Sequence, residues 1–93
     1  MDKSNLRRFF EQRRIDTRHV PLEVLVKAHK VVERLEHGES YLTFHGKRIR
    51  RNRNRISIPL GLRWRILADD LDGKLCVRRI MSHQTYSALL ALE

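Results

Sequence analysis

The chain has 93 residues, with 20 Lys and Arg against 11 Asp and Glu, a formal net charge of +9 and one cysteine. That length accommodates a single domain, 1–93, built around one modest core, and the charge directs it towards polyanions such as nucleic acid and away from neutral metabolites. No segment has the length of a membrane-spanning helix, residues Met1–Arg8 lack the apolar stretch of a secretory signal, and Cys76 has no partner for an internal disulfide; a cytoplasmic location without a membrane partner is therefore expected.

In chain order, Ser4–Arg14 is predicted to be a first helix, with Ser4 as N-cap and Leu6, Phe9 and Phe10 forming one apolar stripe at i, i+3 and i+4. The strongest helical pattern runs from Pro21 to His37. Pro21 suits the first turn, Glu23 the positive end of the dipole and Gly38 the position after the helix, while Leu22, Leu25, Ala28, Val32 and Leu35 make the buried face, widened by Val24 and Val31. After Gly38 the period changes. Tyr41–Phe44 reads as a short β-type run, Gly46 as a turn, and Ile56-Ser57-Ile58 alternates before Pro59 ends pairing or marks a sheet edge.

Leu62–Ala68 alternates with Leu62, Trp64, Ile66 and Ala68 on one face, which sets Arg63 and Arg65 on the other. Asp69–Gly73 is a hairpin turn, Lys74–Met81 the returning strand, and Ser82 a cap for a last helix, Gln84–Leu92, that packs back through Leu89, Leu90 and Leu92. The expected fold is α+β: two N-terminal helices packed on a three- to four-stranded antiparallel sheet, with a short C-terminal helix.

Between Lys47 and Arg55 six of nine residues are cationic: Lys47, Arg48, Arg50, Arg51, Arg53 and Arg55. The surrounding window, Ser40–Ala68, contains no carboxylate, so these side chains are expected to meet an external anion or water. A phosphate backbone relieves such crowding by releasing its condensed counterions, and guanidinium groups grip phosphate with paired hydrogen bonds. The run contains no aromatic residue, which favours clamping of a backbone over stacking of bases.

A second constellation lies in the hairpin. Arg63 and Arg65 are expected on one sheet face, Arg78 or Arg79 within reach on the neighbouring strand, and His83 and Tyr86 at the rim. RNA phosphodiester cleavage needs a base for the 2′-hydroxyl proton, cations for the charge on phosphorus and an acid for the leaving oxygen. His83 suits proton transfer, Tyr86 orientation or donation, and Arg65 with Arg79 the phosphate. A capping role for His83 and a packing role for Tyr86 are the structural alternatives. His19, His29, His37, His45 and His83 are scattered without zinc-site spacing, Cys76 reads as a small core residue, and no Gly-rich phosphate loop is present; neither a metal nor a cofactor is expected. A helix-turn-helix formed by the first two helices has a connection longer than usual.

The runs Leu62-Arg63-Trp64-Arg65-Ile66-Leu67, Asp72-Gly73-Lys74-Leu75-Cys76-Val77 and Ser82-His83-Gln84-Thr85-Tyr86 resemble the RelE/ParE superfamily of bacterial toxins, over roughly residues 21 to 90. The resemblance implies either ribosome-dependent cleavage of messenger RNA or inhibition of DNA gyrase without nuclease chemistry, and a cognate antitoxin, which would be acidic. On it Arg65 matches the Arg after the aromatic residue of the middle strand, Tyr86 the C-terminal Tyr of the RNA-cleaving branch, and His83 a catalytic His of some members. Two departures stand out. The strand before the aromatic-Arg strand lacks the lysines of that branch, its cations lying upstream in Lys47–Arg55, and no first β-strand precedes the helices. A small basic binding protein of phage or ribosome, without catalysis, uses the same basic run.

Overall fold

The computed structural model describes residues 2–92, the last of them by its backbone alone. Helix α1 (Lys3–Glu11) starts where Oδ1 of Asp2 accepts the backbone N–H of Asn5 at 2.9 Å, so Asp2 and not Ser4 is the cap. It closes earlier than its pattern predicts, because Arg14 turns left-handed (φ 59°) and the N–H of Ile15 returns to the carbonyl of Phe10. Leu6 and Phe10 are buried. Phe9 lies at the helix–helix contact, with the Arg13 guanidinium 3.6 Å from its ring centroid and the edge of His29 on it.

Helix α2 (Leu22–Glu36) buries Val24, Leu25, Ala28, Val32 and Leu35. Pro21 stands just outside it as N-cap, and Gly38 follows its end as the pattern requires. Leu22, expected on the buried face, is exposed, and Val24 takes its place in the core. Tyr41–Phe44 is a 3-10 turn rather than a strand: Ser40 Oγ caps Leu42 N–H, and His45 in the left-handed region ends it. Gly46 then passes against the chain so closely that a Cβ would stand 2.8 Å from the Tyr41 carbonyl and 2.9 Å from Ile58 Cγ1, which no larger residue tolerates without movement.

Four antiparallel strands follow as a meander in the order β1 (Lys47–Ile49), β2 (Asn52–Leu60), β3 (Trp64–Leu71) and β4 (Lys74–Ser82). The basic run therefore folds as a hairpin, turning at Arg50-Arg51. β2 is longer than Ile56–Ile58 suggested. Pro59 is tolerated within it because β1 runs out at Lys47, opposite Ser57, so no β1 ladder bond is lost at the proline. Leu62, expected on β3, lies in the preceding turn and is 95% exposed; Arg63 is in that turn as well. β3 extends through Leu71, so the β3–β4 connection shortens to Asp72-Gly73, both at positive φ (55° and 90°) as a tight primed turn demands. Ser82 caps α3 (His83–Leu92) through its Oγ, which accepts the Thr85 N–H at 3.1 Å.

The two sheet faces have separate cores. Ile56, Ile58, Leu60, Ile66 and Ile80 join Leu6, Phe10 and the α2 face in one cluster, while Ile49, Leu67 and Met81 join Tyr86 in another, with Leu89 and Leu90 against it. The α1–α2 pair thus covers one face and α3 the other. The side chain of Leu92, expected to pack beside Leu89 and Leu90, lies outside the described residues. Among the described residues no helix is long and apolar enough to cross a membrane.

Candidate functional site

The α3 face of the sheet carries the polar constellation. Arg65 stands opposite Met81 on β4 and Pro59 on β2, so its side chain shares a face with Leu67 and Met81. Its guanidinium makes three contacts: Nη1 donates to Ser57 Oγ at 3.1 Å, Nε donates to His83 Nδ1 at 3.3 Å, and the group lies 5.0 Å from the Tyr86 ring centroid. An imidazole that accepts at Nδ1 is neutral and carries its proton on Nε2. Arg65, His83 and Tyr86 therefore meet, although 18 residues separate the first two. His83 is exposed. Tyr86 is 5% exposed, and its ring forms part of the apolar floor.

Ser57 was not singled out from the sequence. It is 0% exposed, one of only two buried polar or charged residues among those described, and its hydroxyl sits beneath Arg65. Its alternation against Ile56 and Ile58 put it on the face opposite them, and the pairing of β2 with β3 was needed to see that this is the face of Arg65. Lys47, directly across from Ser57 on β1, projects from that same face.

Arg79 stands two residues along β4 from Met81, opposite Leu67. It is a diagonal neighbour of Arg65 and shares no partner with it. A bulge lies between the pairs Leu67–Arg79 and Ala68–Val77, with Arg78 as the extra residue. Without it Arg78 would point into the α1–α2 core; with it Val77 takes that position and Arg78 reaches out to Asp69, 3.0 Å away.

The six cations of the basic run divide. The expectation that they lack internal counter-charges does not hold for two of them. Arg48 donates to Asp70 Oδ2 at 2.7 Å and to the Arg53 carbonyl at 2.7 Å, and lies over Tyr41; Arg55 is 3.6 Å from Asp69. The Arg48 hydrogen bond, helped by the Gly73 N–H, holds the Asp70 carboxyl below its ordinary value. These carboxylates lie beyond the acid-free window in sequence but are folded back by β3. Lys47, Arg50, Arg51 and Arg53 are exposed, and no described carboxylate pairs with them. Arg63 is at the opposite end of the nine-residue β2, on the order of 30 Å from the Arg50-Arg51 turn at the rise of a strand; its carbonyl accepts the His83 N–H at 2.6 Å. It belongs by position with Arg65 and His83.

No three His, Cys, Asp or Glu side chains among the described residues come together as a metal site. Cys76 is only partly buried, and lines a groove between the end of α2 and the β3–β4 hairpin instead of filling the core.

A helix pair on one face of a four-stranded meander, with Arg65 of the sheet meeting His83 and Tyr86 of a C-terminal helix on the other, makes a small α+β domain. A family model, the ParE-like toxin domain, matches residues 22–88. The chain belongs to that family, and it is a toxin of the toxin–antitoxin type. The match begins with α2 and ends within α3, so it takes in Arg65, His83 and Tyr86. No curated protein and no solved structure matches the chain significantly.

Proposed function

We propose that this toxin cleaves RNA on its α3 face, acting on messenger RNA at the ribosome. The observation that carries the reading is the Arg65–His83 contact above the Tyr86 ring, with Lys47 on the same face. In this arrangement Arg65 meets the scissile phosphate. As its guanidinium turns to the phosphate, Nδ1 of the neutral His83 is freed to take the 2′-hydroxyl proton. The 2′-oxygen forms its bond to phosphorus while the bond to the 5′-oxygen breaks, and the leaving oxygen takes a proton from water. Arg65 stabilises the extra charge on the phosphoryl oxygens, an effect worth about 10²–10³-fold for a single well-placed donor. Tyr86 acts through its ring, which positions Arg65. Lys47, Arg50, Arg51 and Arg53, with Arg63 at the other end, hold flanking phosphates of messenger or ribosomal RNA. Arg48 and Arg55 are committed first to Asp70 and Asp69 and contribute to the field more than to direct contacts.

An acidic antitoxin fits this surface, because carboxylates across the exposed cations neutralise the groups that the RNA needs. The site calls for no metal or cofactor, and a cytoplasmic target is where the reading places the protein. Gyrase inhibition without nuclease chemistry is the second reading, favoured by the family match and by the basic hairpin, which needs no catalytic group. Induced expression of the wild type beside a His83→Ala/Tyr86→Phe variant, with mapping of messenger RNA 5′ ends, separates the two. New ends that vanish in the variant support cleavage; growth arrest that persists in the variant without new ends supports gyrase. Absence of arrest from both proteins leaves a binding module.

A further inference from the structure

The β4 bulge has a consequence for how many phosphates the α3 face can read. It keeps two consecutive arginines, Arg78 and Arg79, out of the α1–α2 core, where plain alternation would have sent one of them. With Arg55 they line a shallow depression of about 310 Å³ on the α3 side, floored by Leu67 and Leu89 and, among the described residues, lined also by the Asp69 carboxylate. Asp69 is shared between Arg55 at 3.6 Å and Arg78 at 3.0 Å, which ties those two together and leaves Arg79 beside them with no ion pair to a described residue.

The position of this depression is set by the ladder. Arg65 faces Met81 and Leu67 faces Arg79, so Arg65 and Arg79 are diagonal neighbours on one face, with Cα atoms about 7–8 Å apart. That spacing is comparable to the step between adjacent phosphates of an extended single strand. We infer that Arg79, with Arg78 beside it, forms a second phosphate subsite one nucleotide along from the phosphate held by Arg65, so that the α3 face engages two successive phosphodiesters of a single strand. The inference rests on the nucleic-acid reading above and adds a register to it: one phosphate at Arg65 and His83, the next at the bulge.

The test uses non-cleavable 2′-O-methyl oligonucleotides with one, two and three phosphates, titrated into the full chain while backbone amide shifts are followed. Wild type, Arg65→Gln and Arg78→Gln/Arg79→Gln are compared, each first shown to keep a folded spectrum. In the wild type the second phosphate is expected to raise affinity by about two- to fivefold, the range of exposed ion pairs. It should also steepen the dependence of log K on log salt by about 0.7 and bring shifts at Arg78, Arg79 and Leu89 that the one-phosphate probe does not. The Arg78→Gln/Arg79→Gln variant should lose that increment and still bind the one-phosphate probe as the wild type does, whereas Arg65→Gln should weaken the one-phosphate probe. An increment that survives in the double variant, or a wild type that gains nothing from the second phosphate, would overturn the subsite and leave the nucleic-acid reading standing. A wild type that binds none of the probes, or prefers a polyglutamate peptide of equal charge, would overturn both.

Discussion

Two groups of cations lie at opposite ends of β2, and the structure treats them differently. At the Gly61–Arg63 end, Arg65 is held at two guanidinium nitrogens and one face, by the buried Ser57 hydroxyl, the His83 ring nitrogen and the Tyr86 ring. At the Arg50-Arg51 end, exposed cations project from a tight turn without any described carboxylate against them. Ordering an Arg side chain costs up to about 2 kcal/mol of rotamer freedom. At Arg65 that cost is met during folding, so the group is already placed when a ligand arrives; at the turn it remains to be met on binding. Pre-placed charge suits a step in which geometry decides the rate, and unplaced charge suits attraction and grip. Equal density of arginine in sequence thus conceals two structural settings.

The largest predicted effect separates these roles. Arg65→Ala should lower RNA cleavage by at least about 10²-fold and abolish toxicity. The chain should stay folded, since the loss leaves one buried Ser57 hydroxyl unpaired at a cost of about 1–3 kcal/mol. Arg65→Lys should not restore activity, because an ammonium cannot span Ser57 and His83 together. Toxicity retained in Arg65→Ala would remove the site. By contrast, Arg50→Ser/Arg51→Ser/Arg53→Ser should leave the rate at saturating RNA close to wild type. It should weaken binding and lower the salt dependence of log K by about 2, at roughly 0.7 per lost phosphate contact on a single strand. A triple variant that loses turnover rather than affinity would erase the distinction between the two regions.

Much of the scaffold was legible because its signals are local. The α2 stripe, Gly38 after it, Asp-Gly at the β3–β4 turn and the Ser82 cap each depend on residues within a few positions, and each formed in its expected region. What was not legible depended on register. Whether Leu62 lies on β3, which face Lys47 takes, and that Asp69 and Asp70 return to neutralise Arg55 and Arg48, are all fixed by strand pairing, which for the two ion pairs reaches across 14 and 22 residues. Alternation alone also fails at the bulge, where one extra residue moves Val77 inwards and Arg78 outwards. Of the site, the meeting of Arg65, His83 and Tyr86 was read from the resemblance and from the end of the last strand. The hydroxyl beneath Arg65 and the diagonal placing of Arg79 beside it emerged only with the sheet.

Ser57 sharpens the comparison at a smaller scale. Ser57→Ala should lower turnover by about 3- to 10-fold with little change in RNA affinity, the pattern of a residue that positions another, in keeping with a net hydrogen bond of about 1 kcal/mol. Two measurements free of catalysis check it. The ¹⁵N shifts of His83 should lose part of their Nε2–H tautomer signature when Arg65 is no longer anchored. In a stability cycle, Ser57→Ala should cost less in the Arg65→Ala background than in the wild type, because the hydroxyl there has already lost its partner. Strict additivity of the two substitutions would show that the contact holds nothing in place.

The smallest effect concerns the tie between the regions. Arg48 fastens β1 to β3 through Asp70, a side chain only 16% exposed, and so holds the basic hairpin on the sheet. The Arg48 hydrogen bond keeps the Asp70 carboxyl below its ordinary value of 3.8. A carboxyl depressed in the folded state adds stability above its unfolded value and loses it as the pH falls through the folded one. Arg48→Ala should therefore melt a few degrees below wild type near neutral pH, with the gap narrowing as acid takes the pH below the carboxylate range. Asp16, held at about 2 chiefly by its hydrogen bond from Arg18, follows the same sign. That pair spans only two residues, so Arg18→Ala should leave the amide exchange of β1 and β2 unchanged. Arg48→Ala should speed exchange in β1 and in the Asn52–Arg55 end of β2 before any change is seen at Arg65, Ser57 or His83. Equal exchange in the two variants would mean that the hairpin keeps its place without the Asp70 tie, and that the two basic regions are mechanically independent from the start.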